Sequence, residues 1–509
     1  PATYELHFGP AMIGAVLNTL NVRLDAATLG FMLGFGEARI VFVDRAFAPV
    51  MAECDAPDLV VAEGELPHDL AGTLYRNGPN PMFPPLGEAH HWFLGEGMIH
   101  AIHVEGGKAS YRNRWVRTEQ YEAQRKAGER LVPTGFGEAA LPGAEGIKRN
   151  VANTNIVWHA GKLLALDEGN SPVAMNGDTL ETNGSWTFEG RYQGPMTAHP
   201  KFDPRTGEMH FFGYMAAGPG TSDISYQVVD RNGKLTRTDM FKAPYASMVH
   251  DFIVTDEHVI FPIFPATIDV ERIMKGGPTI AWDPDAGTHI GIMARDASVE
   301  TIRWFKGDAC YVYHPMNAYT SHEGGKTRVI ADVMKYVRVP LFPDADGKRA
   351  PSSLEDEQGM LVRWTFDLDG NSDTYTEEQI TDLGGEFPRF DERFAGHGYR
   401  HGYYAAMMRP KEQKGSSFDT LVHIDLATGK RSAWEPGKGR YVHEPVFVPR
   451  KTDSAEGDGY ILSLVYDSGR NISDFIVLDS EDISAGPVAR VELPSRVPFG
   501  FHGNWRDMR

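Results

Sequence analysis

Cysteine is almost absent. Cys54 and Cys310 are the only two in 509 residues, far apart and outside any Cys-x-x-Cys arrangement. Two such thiols build neither a disulfide framework nor a thiolate metal site, so a reducing compartment, the cytoplasm, is expected. Positive charge is also in short supply. Asp and Glu number 69 against 50 Lys and Arg, a formal net charge of −19. A phosphate-binding surface needs a basic stripe, so nucleic acid is not an expected partner. No run approaches the ~20 consecutive apolar residues of a membrane-spanning helix. The opening Pro1-Ala-Thr-Tyr-Glu-Leu-His-Phe8 lacks the basic start of a secretory signal. A soluble chain is expected, with any membrane contact confined to its surface.

What is present divides at about residue 46. In residues 24–38 apolar side chains recur at helical spacing after Asp25, which predicts a capped helix; Arg39-Ile-Val-Phe-Val-Asp44 then predicts a short strand. The stretch from Gly14 onward resembles a fragment of the AMP-forming acyl-CoA ligases. It lacks their Ser/Thr/Gly-rich phosphate loop, so no adenylation activity follows, and residues 1–46 are taken as an N-terminal extension, a fused remnant or a mis-assigned start.

From residue 47 to 509 the pattern is all-β. Short apolar runs such as Met209-His-Phe-Phe-Gly213, His258-Val-Ile-Phe-Pro-Ile263, Thr420-Leu-Val-His-Ile-Asp425 and Gly459-Tyr-Ile-Leu-Ser-Leu-Val465 alternate with turn residues. Asp followed closely by Gly recurs at Asp203…Gly207, Asp230…Gly233, Asp367…Gly370 and Asp425…Gly429, a hairpin signal. Loosely similar four-strand units over such a length point to a β-propeller, with a pair of sandwiches as the alternative. Residues 119–150 and 268–278 are long enough to cap one face.

Nineteen histidines occur, and a lone histidine is usually a surface or hydrogen-bonded core residue. Four sit in a different setting. His199, His250, His314 and His502 each lie at the edge of an apolar or aromatic segment and are followed by Pro, Asp, Pro and Gly. That is where a strand ends and a side chain can be aimed at a propeller axis. Residue pattern alone takes these four only as far as a possible metal site.

The wider set of motifs resembles the carotenoid cleavage oxygenases, a family that includes the lignostilbene and stilbene dioxygenases. The resemblance spans roughly residues 47–507. It is carried by Leu70-Ala-Gly-Thr-Leu-Tyr-Arg-Asn-Gly-Pro-Asn-Pro81, His91-Trp-Phe-Leu-Gly-Glu-Gly-Met-Ile-His100, the four histidine segments and the C-terminal His502-Gly-Asn-Trp505. It implies a seven-bladed β-propeller with one Fe(II) on its axis, held by His199, His250, His314 and His502. It implies O₂ as co-substrate and cleavage of a conjugated C=C bond into two carbonyl products, with no side chain needed as acid or base. It also implies that Glu168, Glu386 and Glu444 back His250, His314 and His502, leaving His199 without a carboxylate. Imidazole suits Fe(II), and such carboxylates fix the tautomer of each ring. Rival propellers fit less well. Hydrolytic ones hold Ca²⁺ with an inward set of oxygen ligands that this chain does not offer, a Zn²⁺ hydrolase keeps three protein ligands, and a non-catalytic platform has no use for four such histidines.

The lignostilbene branch binds a phenol through a Tyr and a Lys, the Lys directly preceding the first of the three glutamates. Here that position is Asp167, and the expected Tyr region reads Leu131-Val-Pro-Thr-Gly-Phe136. A carboxylate repels a phenolate, so a carotenoid or apocarotenoid is the expected substrate and a stilbene or phenylpropanoid the alternative. Phe83, Trp92, Phe136, Phe264 and Phe501 are candidate tunnel residues beside Asp167. An apolar polyene partitions into bilayers, and the sparsely charged Leu131–Ile147 is the candidate for peripheral membrane contact. Nothing in the sequence specifies an oligomeric state.

Overall fold

Two kinds of strand alternate along the chain. Strands such as Leu235–Lys242 have every second residue turned to solvent, whereas Gly72–Pro79, Asp223–Val229 and His258–Ile263 are buried at every position. Strands of the second kind need cover on both faces. In the computed structural model, which describes residues 53–85, 90–138, 141–348, 358–408 and 418–509, that cover comes from neighbouring sheets arranged as the seven blades of a β-propeller.

Five blades are consecutive four-stranded antiparallel meanders. They run from Asn155–His159 to Thr182–Ser185, from Lys201–Phe202 to Leu235–Lys242, and from Ile253–Val254 to Arg303–Gly307. The last two run from Tyr311–Ser321 to Thr376–Gln379 and from Gly385–Phe390 to Lys430–Trp434. The other two close the ring by joining distant segments. Gly503–Asp507 pairs with Gly72–Pro79, and Val60–Gly64 pairs with Pro487–Glu492. Closure gives every blade a neighbour on both faces, so no blade is left with an apolar face uncovered. The apolar core lies in wedges between blades: Phe212, Ile224 and Tyr226 of one blade meet Phe252, Val259 and Phe261 of the next, all essentially inaccessible.

The Asp…Gly hairpins form as the sequence predicts. The Asp203 and Asp425 carbonyls accept from the Gly207 and Gly429 N–H groups at 2.8 and 2.7 Å, with both glycines at positive φ. The predicted cap segments hold the two α-helices of the described residues, α1 (Glu119–Ala127) and α2 (Val270–Met274). Thr118 caps α1 by accepting from the Tyr121 N–H. Buried Glu96 accepts from Gln124 of α1 at 2.7 Å and from Arg130 at 3.2 Å, which fastens the cap to the blade beneath it. The helix and strand predicted for residues 24–44, like the rest of the 1–46 extension, lie outside the described residues.

Candidate metal centre

Blade geometry brings the four histidines together. His199, His250 and His502 each stand one to three residues before the innermost strand of a blade, ahead of Lys201, Ile253 and Gly503. His314 sits inside Tyr311–Ser321 where the pairing register breaks between Val312 and Pro315. All four are buried, and one nitrogen from each lies within 4.8 Å of all the others. His250 Nε2 is 3.0 Å from both His199 Nε2 and His314 Nε2.

Among the described residues, the hydrogen-bond-range neighbours of His250 Nε2 are these two histidine nitrogens. Two imidazole lone pairs so close repel each other unless a proton or cation lies between them. Burial, then the neighbouring histidines, push His199 and His314 well below the usual imidazole range, so these rings are neutral and can offer lone pairs to a cation. Metal–nitrogen bonds of about 2.1 Å place nitrogens at right angles about 3.0 Å apart and tetrahedral ones about 3.4 Å apart. The four nitrogens are therefore close enough for one cation to be held by all four imidazoles, ligands that suit a first-row transition metal such as Fe(II).

Behind three of the rings stand glutamates. Glu168, in the turn after Lys162–Leu166, meets His250 Nδ1 and accepts the Tyr214 hydroxyl at 3.0 Å. Glu386 Oε2 lies 2.6 Å from His314 Nδ1, and Glu444 Oε1 lies 2.8 Å from His502 Nδ1. With Nδ1 so engaged, each Nε2 is turned to the centre. Glu386 and Glu444 differ electrically. Burial drives Glu386 up to about 8 despite the Phe387 N–H, and its Oε1 has no hydrogen-bond partner among the described residues. Burial also works against Glu444, but Arg389, His502 and Arg76 outweigh it and hold that carboxyl at about 2. His199 differs from the rest. Its Nδ1 stops 4.0 Å from Asp251 Oδ2, and Asp251 is paired with Lys201 instead.

A cavity of about 330 Å³ opens onto the centre, lined mostly by apolar surface and by His250, His314 and His502 themselves. Of the predicted tunnel residues, Trp92, Phe136, Asp167 and Phe501 line it. Phe83 and Phe264 do not; Phe83 packs with Met98, Trp115 and Tyr121, and Phe264 with Tyr311 and Trp364, in the interior. Asp167 is not a free charge. Its carboxylate accepts from the Gly169 N–H at 3.1 Å, the Val151 N–H at 3.4 Å and the Asn170 amide at 2.9 Å, while burial raises its pKa. Leu131–Gly135 are buried, with Val132 and Pro133 facing the cavity, so that part of the suggested membrane segment turns inward. Phe136, 39% exposed, and Trp92, 37% exposed, are its aromatic rim. Reasoning from sequence missed Phe93, Tyr214, Tyr313 and Phe387 in the wall. Tyr214 and Tyr313 lie within strands that read as ordinary core, and only the neighbourhood of Glu386 pointed to Phe387.

A family model described as retinal pigment epithelial membrane protein matches residues 47–507. The chain is 37% identical to isoeugenol monooxygenase of Pseudomonas nitroreducens, over 90% of this chain and 96% of that one. It is 36% identical to carotenoid cleavage oxygenase 1 of Neurospora crassa, over 90% of this chain and 89% of the other. The crystal structure of the Pseudomonas brassicacearum lignostilbene dioxygenase superposes with a TM-score of 0.85 at 37% identity, covering 91% of this chain and 98% of that one.

Proposed function

The chain belongs to the retinal pigment epithelial membrane protein family of carotenoid cleavage oxygenases, and on that premise we propose that it is an iron(II) enzyme using O₂ to split a conjugated C=C bond into two carbonyls. The observation that carries this reading is the convergence of four buried imidazole nitrogens, three of them on rings backed by carboxylates, at the floor of an apolar cavity. Iron held by His199, His250, His314 and His502 would supply the electrons that activate O₂ towards the alkene.

The protein's own work is binding, orientation and exclusion. Glu168, Glu386 and Glu444 fix the tautomers of His250, His314 and His502. Trp92, Phe93, Phe136, Phe387 and Phe501 line the cavity with apolar aromatic surface that suits a flat conjugated chain and disfavours water. No general acid or base is required, because an alkene and O₂ contain every atom of the two carbonyl products.

The substrate proposed is an apocarotenoid or similar polyene. Arg149 is the one cation in the cavity lining, exposed and donating to the Glu138 carbonyl at 2.9 Å, so no buried cation waits for a phenolate. A neutral hydroxyl at the polar side formed by Gln120, Asn150 and Asp167 is compatible, since carboxylate and amide oxygens accept a hydrogen bond from it. That observation, with the isoeugenol and lignostilbene relatives, favours a hydroxystilbene or phenylpropenoid as the second reading. Among the described residues no helix is long and apolar enough to cross a membrane. Trp92 and Phe136 at the rim suit peripheral contact with a bilayer that dissolves the substrate.

The test is mass spectrometry of products after aerobic incubation of iron-loaded protein with a panel of apocarotenals and hydroxystilbenes. Shortened apocarotenoid aldehydes are the expected products, and aromatic aldehydes alone would establish the second reading. Full activity in His250→Ala or His502→Ala would overturn the four-histidine centre.

A further inference from the structure

The carboxylate nearest the fourth histidine is kept from it. Asp251 Oδ2 lies 4.0 Å from His199 Nδ1, beyond a hydrogen bond. Its side chain is only 4% exposed, and its oxygens are occupied. Lys201 Nζ is 2.7 Å from Oδ1 and 2.9 Å from Oδ2, and Oδ1 also accepts the Phe252 N–H at 2.7 Å. Lys201 comes from the strand that His199 leads into, so the lysine and the ring compete for one carboxylate. The His199 backbone cannot easily shift towards it, because its N–H is fixed to Thr197 Oγ1 at 3.0 Å, and the Thr197 hydroxyl reaches the His250 carbonyl at 3.3 Å.

A carboxylate on Nδ1–H makes an imidazole a stronger, more anionic donor and favours the oxidised metal, so a fourth such contact would pull the iron towards the ferric state. We propose that Lys201 is a positioning residue: it withholds Asp251 from His199, leaving one imidazole without carboxylate backing and keeping the iron ferrous in air. This rests on the four histidines being the iron ligands.

The experiment compares wild type, Lys201→Arg, Lys201→Met and the double variant Lys201→Met/Asp251→Asn. One readout is the Fe(III)/Fe(II) midpoint potential, from redox titration followed by electron paramagnetic resonance. The other is the set of shifted imidazole N–H protons in the NMR spectrum of the Co(II)-loaded protein. Wild type should show three N–H protons in strong hydrogen bonds to carboxylates and one, on His199, without that signature. Lys201→Met should give four strongly bonded protons, a lower potential and faster conversion to ferric iron under air. Lys201→Arg and the double variant should keep the wild-type spectrum and potential.

The proton count separates a true hydrogen bond from the mere loss of a positive charge, which would lower the potential without adding a bonded proton. Four bonded protons in wild type, or three in Lys201→Met, would overturn the proposal. If Lys201→Met fails to fold, the double variant still decides: a raised potential there means that Asp251 already backs His199. A wild type that takes up neither metal at the four histidines overturns the functional reading and this inference together, whereas bound metal with an unmoved proton count overturns only the inference.

Discussion

Arg389 Nη1 lies 3.2 Å from Glu444 Oε1, with the glutamate closed to solvent and the arginine largely so. Arg389 also donates to the Gly503 carbonyl at 2.8 Å and to Asn504 Oδ1 at 2.9 Å, so one guanidinium locks the strand that begins just after His502 and holds the glutamate that orients it. Arg76, at 3.9 Å from Glu444 Oε2, adds a second positive charge. Glu444 is thereby ionised whether or not a metal is present, whereas Glu386 is not. The centre has one permanently charged support and one whose charge depends on its occupant.

Replacing Arg389 by Met should therefore destabilise the protein even without metal. Breaking a buried ion pair by removing one partner costs about 3–5 kcal/mol, because the other charge stays behind. Denaturant melts of metal-free wild type, Arg389→Met and Arg389→Met/Glu444→Gln would measure it. The double variant should recover part of the loss, and a single variant as stable as wild type would show that the pair contributes nothing.

Much of this centre was readable in the sequence, for a local reason. Each histidine and each glutamate sits where a strand begins, ends or breaks register, and those points carry Pro, Gly or Asp beside the functional residue. Ring closure was less legible, since Val60–Gly64 pairs with Pro487–Glu492 and nothing in a local period announces a partner so remote. Aromatic residues were the least legible. Phe83 and Phe264 have the same apolar surroundings in sequence as Phe501, and only the stacking of blades decides which ring meets a cavity and which fills a wedge. Asp251 was passed over because an aspartate after a strand-edge histidine reads as a turn. Its contact with Lys201, fifty residues away in sequence, reveals its role.

The raised pKa of Glu386 predicts that metal uptake depends on pH. With a pKa of about 8 in the metal-free protein, against an ordinary 4.5, Glu386 carries a proton at neutral pH. A divalent cation bound through His314 favours the carboxylate and expels that proton. Apparent affinity should therefore climb with pH up to about 8 and level off above it. Calorimetric Co(II) titrations in buffers of different ionisation heat should detect the released proton, and Glu386→Gln should abolish that release. The metal-free protein should behave in the opposite sense. The unfolded chain ionises first, so stability present at low pH is lost as pH rises from 4.5 towards 8.

Asp167 offers a test of substrate choice. Its carboxylate braces the turn over Val151, Gly169 and Asn170, so Asp167→Asn should keep most of that bracing and leave polyene turnover within a few-fold of wild type. Asp167→Lys should place a cation at the cavity wall and raise kcat/KM for hydroxystilbenes relative to apocarotenals. The lost bracing should lower thermal stability by roughly 1–2 kcal/mol, the cost of leaving buried donors unpaired. Unchanged preference in a folded Asp167→Lys protein would mean that this wall does not meet the polar end of the substrate.

The aromatic rim predicts how binding separates from chemistry. Trp92 and Phe501 have ring centroids 4.5 Å apart, and the Trp92 indole N–H reaches the Phe499 carbonyl at 3.2 Å, three residues before His502. Truncating Trp92 to Ala removes an aromatic contact worth about 1.4 kcal/mol, or roughly tenfold in affinity. It leaves every residue around the four nitrogens in place. KM for a long polyene should therefore rise about tenfold while iron content and kcat stay near wild type. Trp92→Phe, which restores a ring but not the N–H, should recover most of the loss. A fall in kcat with KM unchanged would instead mean that Trp92 acts through Phe499 on the position of His502, and that the rim is part of the support of the centre rather than of the substrate path.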